Sequence, residues 1–263
     1  MLKKLLKHEL KNIFKFLSVF YILALFFSIL TRIFFCIEGS LIMNIIAQIC
    51  SGAAIAMMFN IIINNLMRSW VRFKSNLYGD ESYLTHTLPV SKKTLYLSKI
   101  ITAIVSLLTS IIVIGITIFI AYYSKENLLL VKKLLLPVAE TFDSTILNLL
   151  LAILFVLFLE LANGLQVGYS GIILGHRMNN LKIVFSVIYG FGLYMVMQVF
   201  GLLIIFITSL FNSDLLNLFI TNEMLNIGMI KVVIYLAIFI YLTAFIINLI
   251  LNIKLLKKGV NVE

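Results

Sequence analysis

The stretch that decides the fold is residues 100–124, IITAIVSLLTSIIVIGITIFIAYYS, which has no charged residue between Lys99 and Lys125. A helix that crosses the hydrocarbon core of a bilayer needs about 20 mainly apolar residues. The run is continuously apolar and does not alternate between apolar and polar positions, which favours a helix over a strand of a membrane barrel. The sequence therefore predicts a membrane span near 100–123.

Five further charge-poor runs have the same character. The one that begins after Asp143 is interrupted only by Glu160. With the span near 100–123 they predict an all-α, polytopic membrane protein with six transmembrane helices. We expect the whole chain, 1–263, to form a single transmembrane domain, with the other spans near 16–37, 41–67, 144–169, 183–210 and 231–252.

The composition excludes the main alternatives to a membrane protein. Hydrophobic residues make up 62% of the 263 residues, charged residues make up 12%, and the mean hydropathy is +1.11. Soluble domains have about 45–50% apolar and about 25% charged residues. Disordered chains are polar and rich in charge. Lipid is therefore the expected solvent for most of this chain.

The distribution of basic residues predicts the orientation. The net charge is +10, from 21 basic and 11 acidic residues. Lys and Arg accumulate on the cytoplasmic side of membrane proteins. If both termini are cytoplasmic, 16 of the 21 basic residues lie in cytoplasmic segments. We therefore expect an N-in/C-in topology, and we interpret the basic charge as belonging to a membrane face, with no nucleic-acid partner.

The N-terminal segment, 1–15, has the pattern of an amphipathic helix that lies in the membrane interface ahead of the first span. Two interpretations of this elbow stay open: a topology anchor on anionic lipid, or an elbow that also touches a cytoplasmic partner. His8-Glu9 resembles the start of an H-E-x-x-H zinc motif, but Asn12 stands where the second histidine belongs. The apolar face holds Leu2, Leu5, Leu6, Leu10, Ile13, Phe14 and Leu17, and the lysines at 3, 4, 7, 11 and 15 lie off it.

The longest cytoplasmic connection, 68–99, reads RSWVRFKSNLYGDESYLTHTLPVSKKTLYLSK. Gly79-Asp80 is a turn signal. Pro89 ends or interrupts a helix. Ser91 is suited to cap a new helix from Lys92. The predicted order is a helix extension, a turn, a short amphipathic helix, a break at Pro89 and a helix that leads into the third span.

Part of this connection resembles permeases of the ABC-2 family, the six-span membrane subunits of bacterial ATP-binding-cassette exporters. The similar residues are 78–85 (YGDESYLT), 88–91 (LPVS) and 97–99 (LSK), although family members often have Gly where this chain has Ser82. The resemblance implies a cytoplasmic coupling helix between spans 2 and 3, within 68–99, that contacts the ATPase. It implies these ATPase-coupling candidates: Tyr78, Gly79, Asp80, Glu81, Ser82, Tyr83, Leu84 and Thr85.

The family also implies the assembly. It predicts two cytoplasmic P-loop ATPase subunits for each complex, and a second copy of this chain or a related permease. ATP and Mg²⁺ are then expected on the partner ATPase, with no cofactor, metal or catalytic site on this chain. A P-loop needs G-x-x-x-x-G-K-[ST], and the nearest candidate, from Gly175, has Asn180 in place of the second glycine. We therefore expect a transport subunit that is not itself an enzyme.

Glu160 is the one acidic residue far from a span end, and Asn163 and Gln166 follow it on the same predicted helix. An ionisable residue inside the membrane is costly and indicates function by default. A gating or pathway role, a structural ion pair or hydrogen bond, and proton coupling all stay open for these three residues. The partners considered for Glu160 are Asn163, Arg177, Lys182 and a second protomer.

Four glycines follow at spacings typical of close helix contacts. Gly164 and Gly168 form one G-x-x-x-G motif, and Gly171 and Gly175 form another. Such motifs let two membrane helices approach closely. They predict either tight packing within one protomer or a moving or dimer-forming seam.

These observations lead to a first expectation of function. The chain is expected to be a multi-pass protein of the bacterial cytoplasmic membrane and the permease subunit of an exporter driven by ATP. The expected cargo is hydrophobic or amphipathic: a peptide toxin, an antimicrobial peptide, a lipid or a drug. Two alternatives remain: an ion-coupled secondary transporter that uses Glu160, or a membrane immunity or scaffold protein.

Overall fold

The computed structural model describes residues 2–37, 40–142, 144–212, 216 and 227–258. Among these residues the secondary structure is helical, with no strand. The helices are α1 (Leu2–Phe35), α2 (Leu41–Tyr78), α3 (Ser82–Thr87), α4 (Lys92–Tyr122), α5 (Lys125–Thr141), α6 (Ile146–Gly175), α7 (Lys182–Ser209) and α8 (Ile227–Lys257).

Six of these helices, α1, α2, α4, α6, α7 and α8, are long and apolar enough to cross a membrane. Each one contains most of one predicted span. The all-α class and the six candidate spans are therefore confirmed. The N-in/C-in topology is not decided by helix length and composition, and it stays a prediction.

Several helices continue beyond the predicted spans. Helix α2 continues to Tyr78, α4 begins at Lys92, and α6 ends at Gly175. Charged residues mark where lipid ends, whereas a helix ends where its backbone groups find other partners. The Ser91 hydroxyl accepts from the Thr94 N–H at 3.2 Å, so the predicted cap of α4 is confirmed.

The predicted elbow and the first predicted span form one uninterrupted helix, α1. It has no break near Lys15, and its buried stripe begins at Glu9 and continues through Ile13 and Leu17. The structure therefore differs from a separate elbow followed by a span. The placement of residues 2–15 in the membrane interface stays a prediction.

The chain divides into two compact units, 1–128 and 129–262. In the first unit, α1 packs against α2 and α4, which also pack against each other. Small residues allow these helices to approach closely, because a side chain without bulk brings the backbones together. The fully buried alanines of this unit are Ala24, Ala47, Ala54 and Ala103.

In the second unit, α6 packs against both α7 and α8. Neither α7 nor α8 has a strongly buried face. Most large apolar side chains of α7 are exposed, and those of α8 are mostly part-exposed or exposed. Such surfaces suit lipid, which solvates apolar side chains on every side of a helix.

The N-in/C-in topology places two of the segments between predicted spans, near 124–143 and 211–230, on the outer side. The first of them contains a 17-residue helix, α5. Leucine and lysine are good helix formers, and they dominate this segment, which explains the helix. The second connection, near 211–230, lies mostly outside the described residues.

Candidate functional site: the coupling element and the buried acids

Residues 78–91, which include the predicted ATPase-coupling candidates and are named the coupling element for that prediction, have the order of elements that the sequence predicted. Helix α2 ends at Tyr78, and the Gly79 N–H donates to the carbonyls of Lys74 and Ser75. A turn leads into the six-residue α3, which packs against α2. Residues 88–91 then separate α3 from α4. The element thus connects the ends of two long helices of the first unit.

The predicted contact residues divide into two groups. Tyr78 and Ser82 are buried against the chain's own helices. Tyr83 and Leu84 point outward, with 67% and 74% of their surface exposed. Those in the outward or part-exposed group are Gly79, Asp80, Glu81, Tyr83, Leu84 and Thr85.

Two interactions hold α3 against the end of α2. His86 Nε2 lies 3.2 Å from the Leu77 carbonyl, close enough for its N–H to donate. Ser82 is completely buried, so a small residue is needed at this position. The outward face of α3 is therefore fixed by contacts on its inward face.

Beside this element lies a buried ionic cluster that connects three helices. Glu9 of α1 accepts from Arg72 Nε of α2 at 3.1 Å and from Arg72 Nη2 at 3.2 Å. Its Oε1 also accepts from Lys99 Nζ of α4 at 2.7 Å. The three residues are only 5–6% exposed. We call Glu9, Arg72 and Lys99 the ionic cluster.

The ionic cluster lies close in sequence to the helix ends that flank the coupling element. Arg72 lies six residues before the end of α2, and Lys99 lies in the second turn of α4. Glu81, at the start of α3, acts electrostatically on Lys99. The carboxylate of Glu9 therefore bridges α2 and α4, the helices that precede and follow α3 in the chain.

Sequence reasoning did not identify this cluster. Glu9 was considered only as part of an incomplete zinc motif, and the elbow was expected to face lipid. One signal was available: Glu9 is the single acid among the lysines of 1–15. It also lies four residues before Ile13, on the buried stripe of α1. An acid on an apolar stripe needs a cationic partner.

Further along the same three helices, a buried hydrogen-bond network joins α1, α2 and α4. Asn65 donates to the Ser110 hydroxyl at 2.7 Å and accepts from Ser106 at 3.0 Å. The Tyr21 and Ser110 hydroxyls lie 2.8 Å apart. These bonds stabilise the packing of the helices and are not arranged around a ligand.

Glu160 lies in the second unit and has a tyrosine partner that the sequence analysis did not consider. The Tyr194 hydroxyl of α7 donates to Glu160 Oε1 at 3.4 Å. Tyr241 of α8 hydrogen bonds with Gln198 and lies within electrostatic reach of Glu160. No lysine or arginine among the described residues forms an ion pair with Glu160. Arg177, one predicted partner, donates to the Leu255 carbonyl at 2.6 Å.

Asn163 and Gln166 act as hydrogen-bonding links between α6 and α8. Asn163 Nδ2 donates to the Tyr241 carbonyl at 2.9 Å, and Gln166 Nε2 donates to the Phe245 carbonyl at 3.0 Å. Asn252 donates back to the Gln166 carbonyl at 3.0 Å. The amide groups thus stabilise the helix pair, although Oδ1 of the fully buried Asn163 has no hydrogen-bond donor.

The two glycine motifs have different surroundings. A Cβ atom on Gly171 would lie 2.6 Å from the Ser186 carbonyl oxygen and 2.7 Å from Gly190 Cα. One on Gly175 would clash with Ser186 in the same way. Gly164 has open space around it, and Gly168 is half-buried on α6. Gly171 and Gly175 therefore pack α6 against α7 within one protomer.

Comparisons with protein-family models, with curated proteins and with solved structures find no match for this chain.

Proposed function

We propose that the chain is the membrane-spanning permease subunit of an exporter of the bacterial cytoplasmic membrane that is driven by ATP. A separate P-loop ATPase hydrolyses ATP with Mg²⁺, two such subunits bind each complex, and a second copy of this chain or a related permease completes it. The cargo is hydrophobic or amphipathic: a peptide toxin, an antimicrobial peptide, a lipid or a drug.

The observation that supports this proposal most strongly is the outward face of α3. Large apolar side chains exposed near the charged end of a helix bundle, where water is expected, indicate a protein partner. Tyr83, Leu84 and Leu88 are all exposed at this end. Aromatic and leucine side chains of this kind fill pockets at interfaces and act as anchors. Asp80 and Glu81 beside them suit basic groups on an ATPase.

The ionic cluster supports the same function because it provides a stiff connection. A docking element transmits a movement only if it does not bend relative to the spans that it moves. Charge-assisted hydrogen bonds are short and directional. Glu9 makes three of them to Arg72 and Lys99. A displacement of α3 is therefore passed to α1, α2 and α4 together.

The location of the basic residues supports an N-in/C-in topology. The ionic cluster places the N-terminal part of α1, the end of α2 and the start of α4 at one end of the first unit. That end includes the basic residues of 1–15, 68–74 and 92–99. By the positive-inside tendency it faces the cytoplasm, where an ATPase has access to ATP.

The test is capture of the ATPase by the tagged full-length chain from native membranes, followed by an ATPase assay. Leu84→Ala is expected to reduce the captured ATPase, since losing an interface anchor costs about 2 kcal/mol or more. Leu134→Ala on α5 is the matched control, because Leu84 and Leu134 are both 74% exposed. Equal capture of ATPase by the two variants would contradict the docking role of α3. Purification of the wild-type chain without an ATPase would contradict the proposed exporter function.

Glu160 supports a second candidate, ion-coupled transport without a motor. Its carboxylate lies within a predicted span and has no cationic partner among the described residues. Intramembrane acids of this kind occur in proton and ion relays. This candidate predicts transport by the chain alone in proteoliposomes, driven by a pH or sodium gradient and abolished by Glu160→Gln. No transport without an ATPase would exclude it.

A further inference from the structure

The group of residues around Glu160 has an excess of hydrogen-bond acceptors, and this excess indicates what it binds. Glu160 is part-exposed on α6 and receives one long bond, from Tyr194 at 3.4 Å. A carboxylate has room for about four donors. Asn163 follows three residues later, on the neighbouring turn of the same helix, and its buried Oδ1 has no donor. The Asn163 amide nitrogen is already used, because it donates to the Tyr241 carbonyl.

The missing component is a positively charged donor. An isolated carboxylate within a membrane span is costly unless it is neutralised or paired. The described residues supply no ion pair for Glu160. The unsatisfied Asn163 oxygen also needs an N–H or O–H donor. A ligand that has both a positive charge and several N–H donors satisfies both requirements.

We propose that Glu160, with Asn163 and Tyr194 beside it, binds the ammonium or guanidinium group of an amphipathic cargo. This proposal rests on the permease function and specifies its cargo as cationic.

An organic cation fits this group of residues better than a metal ion. The described residues contain no group of three or more His, Cys, Asp or Glu side chains able to hold a metal. Multivalent ions such as Ca²⁺ require six to eight oxygens and usually several carboxylates. On α7, Phe191 and Met195 lie within three residues of Tyr194, and both side chains are exposed and apolar. They suit the hydrocarbon part of an amphipathic molecule whose charged end pairs with Glu160.

The experiment measures binding of dansylcadaverine, a fluorescent primary ammonium, to the full-length chain in lipid nanodiscs without ATPase or nucleotide. The N-acetyl derivative has the same body without the charge and is the matched probe. The wild-type chain is expected to bind the ammonium probe at least tenfold more tightly than the acetylated one, as hydrogen bonds to charged groups differ from neutral ones by about this factor. This comparison needs no variant, so it tests the proposal even if a variant does not fold.

Variants then assign the binding to Glu160. Glu160→Gln is expected to weaken binding of the ammonium probe at least tenfold. Glu160→Asp, which keeps the charge, is expected to retain most of it. Glu140→Gln removes an exposed acid on α5 and is expected to change nothing. Equal binding of the two probes, unchanged binding by folded Glu160→Gln, or displacement of the probe by millimolar Na⁺ or K⁺ would each overturn the proposal.

This assay separates the ammonium site from the exporter function. Binding of the probe by a chain that captures no ATPase would keep the site and remove the exporter. Capture of an ATPase by a chain that does not discriminate between the probes would keep the exporter and remove the site.

Discussion

Replacing Glu9 by glutamine is expected to destabilise the first unit strongly, because Glu9 is the anion of the ionic cluster. Glutamine has nearly the same shape, so the substitution removes the charge without leaving a cavity. Arg72 and Lys99 then remain 6% and 5% exposed with no counter-charge. They also repel each other, since both lie within hydrogen-bonding distance of the same carboxylate.

The size of the effect follows from the burial of the cluster. Removing one partner of a buried ion pair costs about 3–5 kcal/mol, because the remaining charge is left uncompensated. An exposed pair would contribute at most about 1 kcal/mol. A change of 1 kcal/mol moves the thermal midpoint of a chain of this size by about 2–4 °C. Glu9→Gln is therefore expected to lower the midpoint by about 6 °C or more.

The assay is thermal unfolding of the purified full-length chain in detergent. Unfolding is measured as the loss of the monodisperse peak in size-exclusion chromatography after heating. Glu126→Gln is the matched control, since it makes the same chemical change at an exposed acid on α5. A triple variant adds a second test. Glu9→Leu with Arg72→Met and Lys99→Met removes the whole cluster, and its stability is expected to return close to that of the wild type.

Two results would refute this reasoning. If Glu9→Gln unfolds at the same temperature as the Glu126→Gln control, the cluster is not a buried, mutually compensating set of charges. If the triple variant is less stable than Glu9→Gln alone, the loss comes from packing around these side chains and not from uncompensated charge.

Three further predictions concern packing and the coupling element. Gly175→Ala is expected to destabilise the chain by about 1–3 kcal/mol, because the added methyl group would clash with Ser186. Gly164→Ala meets open space and is expected to be neutral or up to about 1 kcal/mol stabilising. Equal thermal midpoints of the two variants would contradict the packing role of Gly175. Asn65→Leu is expected to cost about 1–2 kcal/mol in the same assay, because it breaks the buried bonds to α4; an unchanged midpoint would show that the network is dispensable. His86→Ala is expected to speed amide hydrogen exchange in 82–88, since it removes a bond worth about 0.5–1.5 kcal/mol; unchanged exchange there would mean that the imidazole does not hold α3.

The sequence was sufficient to predict the helices that span the membrane, because hydropathy is a local property. An apolar run of sufficient length must become a helix in lipid, whatever it packs against. Helix α4 shows this. The sequence predicts a helix that begins at Lys92 after the Ser91 cap and a span that ends near residue 123, and α4 runs from Lys92 to Tyr122. The break at Pro89 is local in the same sense.

The partners of polar residues could not be predicted in this way, because they depend on which helix faces meet. Glu9 pairs with residues 63 and 90 positions away. The two glycine motifs have the same spacing on the same helix, yet Gly171 and Gly175 lie against α7 whereas Gly164 has open space around it. The partners considered for Glu160 were Asn163, Arg177, Lys182 and a second protomer, whereas the structure gives it a hydrogen bond from Tyr194.

The sequence by itself therefore determined how many helices are long and apolar enough to cross the membrane, and where the exposed coupling element interrupts them. Only the tertiary structure decided that Glu9 of α1 pairs with Arg72 of α2 and Lys99 of α4, and that Glu160 remains without a counter-charge among the described residues. The physical reason is that burial in lipid is set by the composition of each segment alone. A buried charge, in contrast, needs a partner group within about 3 Å to offset the cost of its desolvation. Only the packing of helices against one another decides whether such a partner is present.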